Sequence, residues 1–466
     1  MTRWHAERAW LGAPRGEVVG GLAEQVLITV AGDQISEVRA GVAAPPGATR
    51  LPGLVIPGLV NAHSHAFHRA LRGRTHGGRG DFWSWRQQMY AVTQALDPDS
   101  YRTLAAATYA EMVLAGITTV VEFHYLHHAP GGVPYQDPNA MSHALRAAAQ
   151  DAGIRLRLLD TCYLRADVDG TSLQGPQLRF SDGDADTWAA RAAELLGAAP
   201  VQGGVAIHSV RACPPEAMRQ AAQLAADHGA PLHLHLSEQP RENEACVAAY
   251  GRTPTELCAD TGVLGPVTTA VHATHLTDGD VALLGGTRTG VCFCPTTERD
   301  LADGVGPAHA LVGAGAVLSV GSDSHAVIDL FEEARAVELD ERLVTGRRGR
   351  HTAESLLAAA TEGGAVAAGF AGPSRSGSSG GSRDADVSPE GRIAPGARAD
   401  FVAVRLDSPR LAGAPTADPV AAVVFAATAS DVSHVVSGGQ LVVSDGVHQL
   451  FEDLPATLDA AIRAVT

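Results

Sequence analysis

The sequence predicts an α/β fold: a (β/α)8 TIM-type barrel with a small composite β domain built from the N- and C-terminal segments. Three observations predict it. Between residues 56 and 325, eight strand-like runs alternate with Ala-rich amphipathic segments, and such alternation implies parallel strands joined by right-handed crossovers. Apolar–polar alternation with turn residues at its middle occurs in "VLITVAGDQISEVRAG", ahead of that region. Strand-like runs then resume beyond "SRSGSSGGSRDADVSPEG", a low-complexity tract of the sort that forms flexible linkers.

Taken in order, residues 1–55 form the N-terminal part of the small β domain, 56–372 the barrel, 373–391 the linker, and 392–466 the C-terminal part and tail. The barrel strands fall in "GLVNAHSH", "TTVVEFHY", "LRLLDTCYL", "GVAIHSVRA", "PLHLHLSEQ", "TTAVHATH", "GVCFCPTT" and "AVLSVGSDSH". Helices lie between them, as in "PEAMRQAAQLAADHG", which ends on a Gly suited to a helix C-terminus. Beyond the linker, "ADFVAVRLD", "AAVVFAAT" and "DVSHVVSGGQLVVSDG" read as strands. "LVIPGL", ahead of the H-x-H, reads as the exit of a buried strand.

Composition narrows the function. The 466-residue chain is 45% hydrophobic and 18% charged, the balance of a globular enzyme. Its formal net charge of −16 offers no basic surplus to meet phosphates, which argues against nucleic-acid or anionic-membrane partners. No apolar run is long enough to span a bilayer and the N-terminus lacks a signal-peptide pattern, so the expected compartment is the cytoplasm. Six scattered cysteines suit buried thiols better than a disulfide framework. All 35 basic residues are arginines, which removes Schiff-base, P-loop and carboxylated-lysine chemistry.

Polar residues gather at the strand ends, where a parallel barrel places its functional groups. On an extended backbone, residues two apart share a face, so His63 and His65 aim at one point. Glu122, His124 and Tyr125 close the second strand, and His208 and Arg211 the fourth. His235 and Glu238 close the fifth, His272 the sixth, and Asp323 with His325 the eighth. His63, His65, His235 and Asp323 make a set of three nitrogens and one oxygen for Zn²⁺, with a position open to water. Such an ion lowers the pKa of water from about 15.7 towards about 7. Asp323 is placed to accept a proton, His272 to orient or share it, and Glu238, just past its strand, to shuttle protons to a leaving group. His233 offers an alternative to His235, which is preferred because it lies nearer the strand terminus. Cys292 and Cys294 have no second pair nearby and are read as packing thiols.

"PGLVNAHSHAFHRA", "HLHLSE", "VHAT", "GSDSH" and "EGRIAPGARADFVAV" resemble the amidohydrolase superfamily, in its mononuclear deaminase branch, across almost the whole chain. Within it, "FWSWRQQMY", "EFHYLHH" and "HSVRA" are similar to the N-formimino-L-glutamate deiminases. The resemblance implies His63, His65, His235 and Asp323 as ligands of one zinc ion, with Glu238, His272 and Asp323 catalytic. It implies Arg86, Tyr125, His208 and Arg211 as substrate contacts, a substrate with two carboxylates, and a homodimer by analogy. Fe²⁺ and Mn²⁺ suit the same ligands. The family pattern has Gln where this chain carries His68, whose imidazole still offers one hydrogen bond to substrate. His124, His127 and His128 are expected behind the site or on the surface. Paired arginine forks suit a dicarboxylate, whereas a deaminase of guanine, cytosine, adenosine-type or triazine rings calls for aromatic stacking and amide donors. A carbon–nitrogen hydrolase releasing an amine or acid, and a non-catalytic scaffold, complete the alternatives.

Overall fold

The computed structural model describes residues 1–14, 20–75, 82–199, 202–371, 389–415 and 417–466. Most of the linker expected over 373–391 lies outside the described residues. Eight strands form the central sheet: β1 (Leu59–Ser64), β2 (Ile117–His124), β3 (Arg155–Cys162), β4 (Gly203–Ile207), β5 (Leu232–Leu236), β6 (Thr268–His272), β7 (Gly290–Phe293) and β8 (Leu318–Val320). They pair in chain order and in parallel. All eight fall within the predicted runs or one residue of them. Their side chains are buried almost throughout, as a sheet covered on both faces requires.

The intervening helices follow their local signals. The helix Pro98–Leu114 starts at Asp97, whose carboxylate accepts from the Ser100 N–H while Pro98 occupies the first turn. Pro215–His228 ends at Gly229, in the left-handed region at φ 58°.

The seam of the barrel is made by residues of the predicted site. Ser64 bridges Asp323 in parallel; the Asp323 N–H donates to the His63 carbonyl at 3.0 Å, and the His65 N–H to the Asp323 carbonyl at 3.2 Å. Only glycine fits at 321, because a Cβ there would lie 2.7 Å from the His63 nitrogen and 2.8 Å from its Cβ.

The two chain ends meet in one mixed eight-stranded sheet. Its order is Val447–His448, Gln440–Ser444, Val432–Ser437, Phe401–Val404, Thr49–Pro57, Thr2–Trp10, Leu22–Ala31 and Gln34–Arg39. N- and C-terminal halves join where Phe401–Val404 runs antiparallel to Thr49–Pro57. Trp4, Ile28, Val55, Phe401 and Val436 belong to a separate core there.

Two expectations are corrected. "LVIPGL" is not one strand: Leu54–Pro57 end a strand of the small sheet, and β1 begins at Leu59, after Gly58. "AAVVFAAT" is a helix, Pro419–Ala426, instead of a strand. A short run that is apolar all round carries neither period. The decisive local signal is Asp418-Pro419, with the Asp418 carboxylate accepting from the Ala421 N–H at 3.1 Å. That helix packs on Leu330–Thr345 and Ala353–Ala358, outside the barrel.

Candidate active site

At the C-terminal mouth of the barrel, His63, His65 and His235 bring ring nitrogens within 4.8 Å of one another, and His63, His272 and Asp323 do the same with two ring nitrogens and a carboxylate oxygen. His63 Nε2 lies 3.3 Å from Asp323 Oδ1 and 3.2 Å from His235 Nε2, while His65 Nε2 lies 3.4 Å from Asp323 Oδ1. All four side chains are buried.

The hydrogen bonds around this cluster fit a cation. A carbonyl only accepts, so Nδ1 of His65 donates to the Phe123 carbonyl and Nδ1 of His235 to the His208 carbonyl, each at 2.8 Å. Both rings then turn a bare Nε2 inward, the tautomer that outer hydrogen bonds impose on metal-ligating histidines. Burial, reinforced by neighbouring imidazoles, holds His65 and His235 well below the usual histidine range. Burial alone would raise Asp323, but the contact with His63 and the fields of His63, His65 and His272 hold it ionised well below the carboxylate range. Lone pairs and a carboxylate therefore face one another with too few protons between them. Three nitrogens and one oxygen in this arrangement fit a divalent ion.

Backbone strain concentrates here. Ser237, His272, Ala273 and Asp323 have φ of 51°, 68°, 47° and 41°, conformations that cost a non-glycine residue about 1–3 kcal/mol and cluster at functional sites. They re-aim side chains at the ends of β5, β6 and β8.

His272 Nε2 sits between Glu238 Oε1 at 3.9 Å and Asp323 Oδ2 at 4.0 Å, and its Nδ1 is 3.3 Å from Glu298 Oε1. Burial would lower the His272 pKa, but Glu238, Glu298 and Asp323 outweigh it and favour the imidazolium. Glu238 is pushed up by burial and by Asp323, against the pull of His272. A carboxyl raised in this way exchanges protons more readily near neutral pH than an ordinary glutamate.

The cavity over this cluster is lined by His65, His68, Tyr125, His208, His235, Glu238, His272 and Asp323, and by Arg86 and Arg211. Arg86 comes from the helix Phe82–Ala95, its Nε donating to the Tyr90 hydroxyl at 2.6 Å. Arg211, beyond β4, donates to the Ala166 carbonyl at 3.0 Å and to the Tyr163 hydroxyl at 3.4 Å. Burial would raise Tyr163, yet these two guanidiniums bring its pKa down, which marks a positive end to the cavity. His68 Nε2 lies 3.0 Å from the Tyr125 hydroxyl, and burial lowers its pKa to about 4, so the ring is neutral.

Other predicted positions lie outside the cluster. His233 is deeper in the barrel, its Nε2 on the Ala367 carbonyl at 2.8 Å. His325 bonds Ser64 and Ser322, at 3.2 and 3.0 Å. Glu122 accepts from Ser64 Oγ at 2.6 Å and from the Ala66 N–H at 2.7 Å, bracing the backbone on either side of His65. His124, His127 and His128 are all buried, none on the surface. Trp85, Tyr90, Tyr163, Phe180 and Glu298 were not singled out from sequence. Tyr163 directly follows β3, so the strand-end rule points to it; Glu298 lies on the helix Pro295–Asp300, where no such rule applies.

The barrel, the inward-facing histidines and the carboxylate at the eighth strand define a hydrolase that carries the ligand set for a metal ion, and the chain belongs to the amidohydrolase family, whose profile matches residues 54–374. With its deaminase relatives, this membership makes the chain a hydrolase acting on carbon–nitrogen bonds. The chain is 35% identical over 462 residues to the formimidoylglutamate deiminase of Pseudomonas aeruginosa, covering 96% of each. It is 30% identical over 400 residues to the 8-oxoguanine deaminase of the same species, covering 84% of this chain and 83% of that one. Among solved structures, an amidohydrolase from Brucella melitensis superposes with a TM-score of 0.87 at 31% identity, over 100% of both chains. An atrazine chlorohydrolase from Arthrobacter aurescens, complexed with zinc, shares the fold at a TM-score of 0.84 and 21% identity, also over 100% of both.

Proposed function

We propose that this protein hydrolyses N-formimino-L-glutamate to N-formyl-L-glutamate and ammonia, a step of histidine degradation, using one zinc ion. The observation that carries the reading is that Arg86 and Arg211 line the same cavity as Glu238, His272 and the His/Asp cluster. Two planar forks at one end of a cavity match two carboxylates, and N-formimino-L-glutamate presents two carboxylates and an amidine-like head. The 35% identity to a formimidoylglutamate deiminase over 96% of both chains supports the same substrate.

His63, His65, His235 and Asp323 would hold the zinc, which when bound polarises its ligands as a Lewis acid and brings the pKa of water towards about 7. The remaining chemistry belongs to side chains. Arg86 and Arg211 receive the carboxylates and turn the formimino carbon towards the cluster, with His68, Tyr125 and His208 around the amidine. Asp323, through the Oδ2 that faces His272, accepts a proton as water adds to that carbon. Charged His272 orients the attacking oxygen and, 3.9 Å from Glu238, couples the two carboxyl groups. Glu238 gives the imino nitrogen one proton as water adds; as the carbon–nitrogen bond breaks, the proton held by Asp323 passes to that nitrogen, the hydroxyl proton returns to Glu238, and ammonia leaves with the formyl oxygen derived from water.

A second reading, a deaminase of a flat ring, is favoured by the aromatic wall of Trp85, Tyr90, Tyr125, Tyr163 and Phe180 and by the 8-oxoguanine deaminase relative. Ammonia release from purified, zinc-supplied protein separates the two. The expected result is turnover of N-formimino-L-glutamate with guanine, 8-oxoguanine, cytosine, adenosine and an aminotriazine inert; preference for a ring would overturn the proposal.

A further inference from the structure

Arg179 is a fully buried guanidinium outside the chemistry just described. It lies on the short 3-10 segment Gly175–Phe180. Its guanidinium donates to uncharged acceptors. Nε donates to the His128 carbonyl at 2.7 Å, one terminal nitrogen to the Thr93 carbonyl, and the other to the Leu96 carbonyl at 2.7 Å and the Tyr135 hydroxyl at 3.4 Å. Thr93 belongs to the last turn of the helix Phe82–Ala95, and Leu96 follows it. A cation there meets orphan carbonyls and the negative end of the helix dipole. The Arg179 carbonyl in turn accepts from the N–H groups of both His127 and His128, at 3.0 Å each.

One residue thus ties together three walls of the cavity. The helix it caps carries Trp85, Arg86, Met89 and Tyr90; the loop it holds follows Tyr125; and its neighbour Phe180 packs 5.1 Å from Tyr125 and 5.5 Å from Tyr163. We infer that Arg179 is a positioning residue for substrate capture, fixing the helix Phe82–Ala95 so that Arg86 meets a carboxylate of the substrate. The inference rests on the proposed reading of Arg86 as a carboxylate contact.

The test uses the full-length, zinc-supplied protein and the variants Arg179→Lys, Arg86→Ala and the double variant, Lys keeping the charge without the fork. KM for N-formimino-L-glutamate is expected to rise about tenfold or more in Arg179→Lys, with kcat nearly unchanged and zinc content held. In the Arg86→Ala background the same change should add nothing further to KM. Amide hydrogen exchange, which needs no substrate, should speed up in residues 86–97 of Arg179→Lys and remain at wild-type rates in the barrel strands. Additive KM effects in the double variant, or unchanged exchange over 86–97, would overturn the inference. Absence of turnover in the wild type would instead overturn the proposed substrate, and the exchange measurement would still decide the role of Arg179. Should Arg179→Lys not fold, Arg179→Gln enters the same measurements.

Discussion

Glu238 shows how a single residue acquires a role from its surroundings. Three positions after His235 and just past β5, it is 22% exposed into the cavity, with the positive charge of His272 beside it and the negative charge of Asp323 beyond His272. Burial raises its pKa, and a carboxyl that keeps its proton longer can donate it to a leaving nitrogen. Glu238→Gln preserves size and removes the exchangeable proton. Steady-state ammonia release should fall by about 10²–10⁴-fold, while metal analysis still finds one ion per chain. Retained turnover would take Glu238 out of its role. His68, by contrast, stands where the resemblance implies a Gln. Its neutral ring against the Tyr125 hydroxyl keeps a polar group at that point of the wall.

Among the elements, short terminal segments depend on charged caps because they bury little apolar surface of their own. The turn Ala429–Asp431 links the helix Pro419–Ala426 to the strand Val432–Ser437. Asp431 accepts from the Thr428 N–H at 2.9 Å and from Arg410 through two nitrogens, at 2.9 and 2.8 Å. Burial would raise its pKa, but Arg410, Ser408 and Thr428 bring it down to about 2. A depressed carboxylate contributes stability that is present above its unfolded pKa, near 3.8, and is lost as pH falls towards about 2. Asp431→Asn should therefore lower stability by about 1–2 kcal/mol at pH 7. Urea unfolding should show the gap to wild type narrowing as pH drops from 4 towards 2. A constant gap would mean that the hydrogen bonds, not the charge, carry the effect.

For the molecule as a whole, the seam of the barrel and the cluster of possible ligands are one construction. His63, His65 and Asp323 exchange backbone hydrogen bonds across it while their side chains converge in front of it. Gly321 lets β8 approach β1 closely enough for this. Gly321→Ala forces a methyl against the His63 backbone, at a cost of about 1–3 kcal/mol for overpacking. Thermal unfolding should shift down and metal content per chain should fall together. A destabilised protein with full metal content would separate closure from ligand placement.

How much was legible beforehand follows from the range of each signal. Strand–helix alternation is local and repeated, so the barrel and its eight strands could be read directly from the chain. The H-x-H pair and the residues at strand ends were readable because a parallel barrel sends all such ends to one face. "AAVVFAAT" misled because a short all-apolar run carries no period, and its side chains face other helices that the sequence does not indicate. The strand Thr2–Trp10 pairs with Thr49–Pro57, far along the chain, and Thr49–Pro57 pairs in turn with Phe401–Val404, contacts that leave no local trace.

The chain by itself determined the fold class, the chemical types of the candidate ligands, and the presence of arginines fit to receive acids. These depend on spacing along the backbone and on functional-group chemistry. Only the folded molecule decided that His235 and not His233 turns its ring to the cluster, and that Glu298 stands behind His272. It alone showed that a buried Arg179 braces the helix bearing Arg86. Those outcomes depend on which carbonyls, dipoles and ring faces meet in space, and segments apart in sequence, up to 86 residues for Arg179 and Thr93, meet only when the chain folds.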